Sequence, residues 1–110
     1  MKKTVKMTQD MIDTYGRING DNDILHYNHD YAISMGFRGT LTHGLHVMGM
    51  ASDLAARKYG KDWHHQGELY VKWVAPVCPG DELQVEITDD GQAMARNQLG
   101  DAMIGHAKLR

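Results

Sequence analysis

A short loop near the start of the chain carries the pair of side chains best suited to chemistry. Asp21 and His26 lie in the polar stretch 20–28. A carboxylate and an imidazole held together can bind a water molecule and move its protons, which is general acid–base chemistry. The same residues also suit an ordinary loop, in which Asp21 and Asp23 cap turns and His26 points to solvent. Spacing alone leaves both interpretations open.

A second feature is the segment 39–44, which precedes a long apolar stretch. At the start of a helix the backbone N–H of Gly44 has no intrahelical acceptor, so it can bind an anion or polarise a carbonyl oxygen. The alternative is a glycine selected for close packing. Both interpretations of Gly44 remain open at this level.

The seven histidines of the chain invite a test for a metal site. The pairs His26-x-x-His29 and His43-x-x-His46 can each place two imidazoles on one side of a turn. Zinc sites usually add cysteine or carboxylate ligands at recognisable spacing, and the single cysteine, Cys78, lies far away in a Pro-Gly turn. We therefore expect neither a metal nor a cofactor, and one cysteine forms no internal disulfide.

Composition narrows the class of protein. A chain of 110 residues fits one domain over 1–110, and 42% hydrophobic with 24% charged residues is typical of a globular protein. The net charge of −2 and the lack of a Lys/Arg run argue against nucleic-acid binding. The apolar runs are too short to span a membrane. The first residues lack the apolar core of a signal peptide, so we expect a cytoplasmic protein.

The first half of the chain reads mainly as helix. Residues 3–7 predict a short strand, and Thr8 can cap a helix that ends at Asn19-Gly20. A short helix follows over 30–35. The longest helix is predicted over 43–59 with Thr42 as its cap, and its first half is apolar nearly all round, which is typical of a buried helix.

The second half reads as strands over 69–74, 83–88, 92–98 and 102–109. Tight turns between them predict an antiparallel sheet. One long buried helix with such a sheet is an α+β architecture, in which the sheet wraps the helix. Because one helix covers only part of a sheet, we expect self-association, most simply as a two-fold dimer.

Five short motifs follow one another along the chain: Gly20-Asp21-Asn22-Asp23-Ile24-Leu25-His26, Tyr31-Ala32, Gly36-Phe37-Arg38-Gly39, His43-Gly44 and Pro76-Val77-Cys78-Pro79-Gly80-Asp81. In this order they resemble the MaoC-like dehydratase family of (R)-specific enoyl-CoA hydratases, over nearly the whole chain. The resemblance implies a hotdog fold, an antiparallel sheet around a long central helix. It also implies a homodimer that forms through the sheets, and it leaves open whether two dimers associate further.

The resemblance further implies an activity: reversible addition of water to a trans-2-enoyl-CoA, or another enoyl thioester, to give an (R)-3-hydroxyacyl thioester. Asp21 and His26 match the pair that holds the catalytic water, and Gly44 matches the glycine whose N–H binds the thioester oxygen. Ser52 matches a helix serine that lies near the active site in some members. The candidate oxyanion and substrate-binding residues are Tyr31, His43, Gly44 and Ser52.

The chain departs from the family pattern in its loop, where Asp23-Ile24 stands in place of Asn-Pro. Without the proline we expect a less rigid loop. With a second carboxylate close to Asp21, we expect one of the two pKa values to rise. This departure favours an alternative, a catalytically degenerate module that binds acyl thioesters. A third possibility is a hotdog acyl-CoA thioesterase, for which the long helix offers only Asp53.

Overall fold

The computed structural model describes all 110 residues, as five strands, four α-helices and two short 3₁₀ turns. The helices are α1 to α4 and the strands β1 to β5, each numbered in chain order. In sequence the elements are β1 (Lys2–Lys6), α1 (Gln9–Asn19), a 3₁₀ turn (Ile24–His26), α2 (His29–Ser34), α3 (Gly44–Tyr59), a second 3₁₀ turn (Gly60–Asp62), α4 (Trp63–Gln66), β2 (Gly67–Trp73), β3 (Glu82–Ile87), β4 (Gln92–Asn97) and β5 (Gly100–Leu109).

The five strands form one antiparallel sheet in the order β1-β3-β4-β5-β2. The expectation that tight turns join all the neighbouring strands is wrong for β2, which pairs with β5 rather than with β3. The connection after β2 crosses to the far side of the sheet, where Met7 N–H donates to Asp81 O and Gly80 N–H donates to Met7 O. These bonds place β3 beside β1, so β2 becomes an edge strand.

The long helix α3 packs into the concave face of the sheet, as expected. Its buried residues meet a sheet face that is rich in small side chains, which lets the sheet curve closely around the helix. The contributors from α3 are Val47, Met50, Ala51, Leu54 and Ala55, and those from the sheet include Leu83, Val85, Ile87, Ala93, Ala95, Met103 and Ala107. This is the hotdog architecture, so the predicted fold class is confirmed.

Two details of α3 differ from the prediction. His43 is the N-cap residue, without a side-chain cap hydrogen bond, and the hydroxyl of Thr42 is buried with no partner. The helix is also not buried all round, because Leu45 is 59% exposed on the side that the sheet does not reach. A single curved sheet buries one side of a helix, so apolar side chains on the other side stay exposed unless another part of a protein packs on them.

The helices before α3 confirm their predicted signals. The Thr8 hydroxyl accepts a hydrogen bond from Met11 N–H at the start of α1, and Gly20 ends that helix with a left-handed φ of 76°. The turn of helix α4 was not predicted. No helix in the molecule combines the length and apolarity needed to cross a membrane.

Candidate active site

The loop between α1 and α2 is shaped by a ladder of side-chain-to-backbone hydrogen bonds. Asn19 Oδ1 accepts from Asp21 N–H at 2.9 Å, and Asp21 Oδ1 accepts from Asp23 N–H at 3.0 Å. Asp23 Oδ1 then accepts from Leu25 N–H at 3.0 Å and caps the 3₁₀ turn. Each bond spans two residues, a pattern that Asn and Asp form readily. These hydrogen bonds restrict the backbone of the loop, which has no proline to do so.

The loop and its following turn bring Asp21 and His26 together. Asp21 Oδ2 lies 3.4 Å from His26 Nε2, and the two side chains are 44% and 14% exposed. His26 Nδ1 lies 2.7 Å from the backbone carbonyl of Leu41. Because a carbonyl oxygen only accepts, the neutral ring carries its proton on Nδ1 and leaves Nε2 as an acceptor. The carboxylate and this bare nitrogen face the same space.

Asp21 is held in its charged form. The Asp23 N–H bond lowers the pKa of Asp21, and the nearby His26 and His43 rings lower it further, against a smaller opposing effect of burial. The expected rise from a neighbouring carboxylate is therefore wrong for Asp21. The physical reason is orientation, because the Asp23 carboxylate turns away to cap Leu25 N–H while its own N–H donates to Asp21.

His43 packs behind this pair at the start of α3. Its buried ring stacks on His26 with centroids 3.8 Å apart and planes 19° apart. Its Nε2 lies 3.2 Å from the Tyr27 hydroxyl, and Tyr15 packs on the ring from another side. Desolvation lowers the pKa of His43, and the adjacent His26 lowers it further, so the ring stays neutral near pH 7.

Asp21, His26 and His43 are the one group whose ligand atoms lie close enough for a shared metal, all within 4.8 Å of one another. The ring geometry does not suit a metal. A nitrogen lone pair lies in the plane of its ring, and the two stacked rings have nearly parallel planes. An ion between them would sit well outside both planes, so the cluster fits proton transfer better than metal binding.

Gly44 begins α3 and leaves its N–H without an acceptor in the protein. The structure also provides a packing reason for the glycine. A Cβ at Gly44 would lie 2.8 Å from Trp73 Cε2, and Trp73 Nε1 donates to Gly44 O at 2.9 Å. The two interpretations are thus compatible, because Trp73 occupies the Cβ side while the N–H remains free.

An apolar pocket of about 360 Å³ opens beside Gly44. It lies between the start of α3, the end of β2 and the connection to β3. Asp21 and His26 do not line the pocket, but His26 Nδ1 contacts the backbone carbonyl of Leu41, which does. Its lining residues are Phe37, Leu41, Thr42, Gly44, Val47, Trp73, Val74, Ala75, Pro76, Val77, Ala102 and Met103.

The remaining sequence candidates lie apart from this cluster. The Ser52 hydroxyl, two turns along α3, accepts a hydrogen bond from Trp63 Nε1 at 3.0 Å. Tyr31 is an exposed residue of α2 whose side chain makes no hydrogen bond or ring contact with the cluster. Asp53 is engaged at the surface, 3.2 Å from Arg57 and 4.0 Å from Lys3.

The sequence interpretation missed Tyr27, whose hydroxyl donates to the Asp21 carbonyl and contacts His43. One signal was available, namely Gly16 in the interior of α1, where glycine is unfavourable. A Cβ at Gly16 would overlap the Tyr27 hydroxyl. The contact with the Leu41 carbonyl carries no such signal, because any residue type has that carbonyl.

Comparison with known proteins places the chain among related sequences. The family model for the MaoC-like domain matches residues 1–107. The chain is 28% identical to the mouse (Mus musculus) peroxisomal multifunctional enzyme type 2 over 96 residues, 83% of this chain and 13% of that protein. It is 29% identical over 76 residues to a probable dehydratase of Ajellomyces capsulatus, 68% of this chain and 20% of that protein. The chain thus spans a fifth or less of the length of these relatives.

The fold is shared with solved structures at low sequence identity. An (R)-hydratase from A. caviae involved in PHA biosynthesis superposes with a TM-score of 0.78 at 18% identity, covering 100% of this chain and 93% of that one. At this identity the likeness establishes the fold, and the chemistry must be argued from the residues of this chain.

Proposed function

This chain belongs to the MaoC-like domain family, and from that premise we propose that it is a hydratase/dehydratase that adds water reversibly to a trans-2-enoyl thioester of the acyl-CoA type. The product is an (R)-3-hydroxyacyl thioester. The observation that carries the proposal is the pair of acceptors formed by ionised Asp21 and the bare Nε2 of His26, 3.4 Å apart.

The two acceptors suit a single water molecule. A water that donates one proton to Asp21 Oδ2 and one to His26 Nε2 turns an oxygen lone pair outward, toward the substrate C3. His26 Nε2 takes the proton as the oxygen bonds to C3, because the lowered pKa of Asp21 makes that carboxylate a weaker base. Asp21 holds the water and stabilises the imidazolium, which then returns the proton to C2.

Gly44 supplies the complementary group for the thioester. Negative charge develops on the thioester oxygen as C2 becomes enolate-like. The free N–H of Gly44 and the N-terminal end of α3 stabilise that charge most strongly in the transition state. The apolar pocket beside Gly44 suits an acyl chain. No residue of this scheme requires a metal or cofactor.

The decisive experiment compares Asp21→Asn with the wild type on crotonyl-CoA, followed by loss of the enoyl thioester absorbance. We expect kcat to fall by about 10²-fold or more, because general acid–base groups contribute roughly 10²–10⁴-fold. Asp23→Asn is the matched control. It removes one charge from the same loop but keeps an oxygen to cap Leu25 N–H, so it should retain turnover.

Other outcomes identify the alternatives. Tight binding of acyl thioesters without turnover, across longer and branched acyl groups, would identify a degenerate binding module. Release of free thiol would identify a thioesterase. The surface ion pairs of Asp53 give the thioesterase no structural support.

A further inference from the structure

The Tyr27 hydroxyl makes two contacts that together define a protonation pattern. It donates its single proton to the backbone carbonyl of Asp21. Its second contact is His43 Nε2, at 3.2 Å. Because the hydroxyl proton is already used, His43 must donate a proton from Nε2 to the Tyr27 oxygen. The neutral His43 ring then carries no proton on Nδ1, the buried nitrogen that has no partner.

Helix α1 leaves room for this arrangement. Gly16 is a buried residue within α1, and a Cβ there would overlap the Tyr27 hydroxyl and crowd its ring. Glycine lowers the stability of a helix interior, so its presence here is explained by the close approach of the tyrosine. Gly16 and Tyr27 act as one packing unit.

We propose that Tyr27 is a positioning residue that fixes the loop bearing Asp21 to His43, and so to the start of α3. His43 stacks on His26 and directly precedes Gly44. One phenolic hydroxyl thereby sets the relative placement of the carboxylate, the imidazole and the N–H that the proposed hydration uses. The inference rests on the proposed function, and Tyr27 itself acts through these neighbours.

A kinetic comparison tests the role. Tyr27→Phe keeps the ring and removes the hydroxyl, and we expect kcat to fall about tenfold or more with KM changed by less than about threefold, because misplacement of reacting groups lowers kcat. Tyr59→Phe is the matched control. It removes a hydroxyl that also donates to a backbone carbonyl, that of Ala107, outside the site, and should leave kcat unchanged.

A second variant disturbs the same Gly16–Tyr27 packing unit by changing the glycine instead of the tyrosine. Gly16→Ala favours helix α1 but displaces the tyrosine, so we expect a similar loss in kcat from a fully folded protein. The double variant Gly16→Ala/Tyr27→Phe should lose no more kcat than the more affected single variant, because both changes disrupt the same contact. Independent, multiplying losses would contradict the proposal.

A spectroscopic readout separates this inference from the proposed function. Nitrogen-15 NMR of the histidine rings should show neutral His43 protonated at Nε2 in the wild type and in Tyr59→Phe. In Tyr27→Phe the proton should stay on Nε2, because Nδ1 is buried without a partner, and the Nε2 resonance should shift because its hydrogen bond is lost. An unchanged Nε2 resonance, or unchanged kcat in Tyr27→Phe, overturns the positioning role. A wild type without turnover on any enoyl thioester refutes the proposed function, while the Nε2 resonance still decides whether Tyr27 holds His43.

Discussion

Asp23 shows how one residue can depart from a family pattern and keep the local structure. Where the family has Asn-Pro, Asp23 caps the 3₁₀ turn with its side chain and donates its own N–H to Asp21. The first bond orders the loop, and the second favours the charged form of Asp21. The substitution is therefore compatible with a water-binding pair.

Gly44 packs against Trp73 and also offers a free N–H, and substitution at this position tests the packing role. Gly44→Ala places a methyl group against Trp73, and overpacking of this kind typically costs about 1–3 kcal/mol. We expect Trp73→Leu to relieve most of that cost in the double variant, measured by urea unfolding. Because alanine keeps the backbone N–H that the proposal assigns to the thioester oxygen, activity should recover with stability in the double variant. Activity that stays low in a fully folded double variant would contradict this account of the glycine.

Among the elements, the buried carboxylate of Asp81 ties three separate segments together. Arg38, which follows α2, contacts it through both guanidinium nitrogens at 3.1 and 3.0 Å. Cys78 N–H donates from the approach to β3, while Asn97 at the end of β4 and Gln98 in the following turn donate from a third segment. The first two segments also supply pocket walls through Phe37 and Val77, so this carboxylate stabilises the pocket as well as the sheet.

This cluster predicts a defined dependence of stability on acid. Burial alone would raise the pKa of Asp81, but Arg38 and the Cys78 N–H outweigh it and lower the pKa from 3.8 to about 2. A group with a lowered folded pKa stabilises the fold above its unfolded pKa and loses that effect as pH falls through the folded value. The shift corresponds to about 2.5 kcal/mol.

We therefore expect Asp81→Asn to lower the free energy of unfolding by about 2–3 kcal/mol above pH 4. The difference from the wild type should shrink as pH falls from about 4 to 2, as measured by urea unfolding at each pH. Asp101→Asn, whose ion pair with Arg96 is half exposed, is the control and should change stability by less than about 1 kcal/mol. A pH-independent deficit in Asp81→Asn would contradict this account.

At the scale of the whole molecule, one side of the chain lacks a cover. Strand β2 pairs only with β5 and leaves its other edge free, and an unpaired edge of seven residues is a template for another strand. Leu45, Trp73 and Val74 are exposed large apolar side chains at and beside this edge. We propose that a second copy of the chain covers this side, as a two-fold dimer.

Substitution of Leu45 tests the dimer. Leu45→Glu changes a side chain that is 59% exposed in the single chain, so the fold should tolerate it while a dimer that buries it should not. Sedimentation should show the wild type at twice the 12.4 kDa of one chain and the variant at or near one chain mass. Leu99→Glu, at a 69% exposed site in the turn between β4 and β5, should remain dimeric. A monomeric wild type would refute the proposal.

Local signals made much of this molecule predictable from its residues. Thr8 and Gly20 delimit α1 because capping and left-handed turns depend on neighbours within a few positions. The period of the apolar residues identified α3 and the strands, since burial of one face imposes that period. Asp21 and His26 meet because a short loop joins them, and their motif could be identified from the sequence alone.

Contacts between distant segments were decided by packing. Alternation shows which face of a strand is buried but not which strand lies beside it, so the place of β2 next to β5 had no local signal. The Leu41 carbonyl that sets the His26 tautomer, and the Tyr27–His43 contact, likewise join segments brought together only when α1, the loop and α3 pack. The identities of the reactive groups are thus local properties of the chain, whereas their tautomers, charges and distances depend on the folded environment around them.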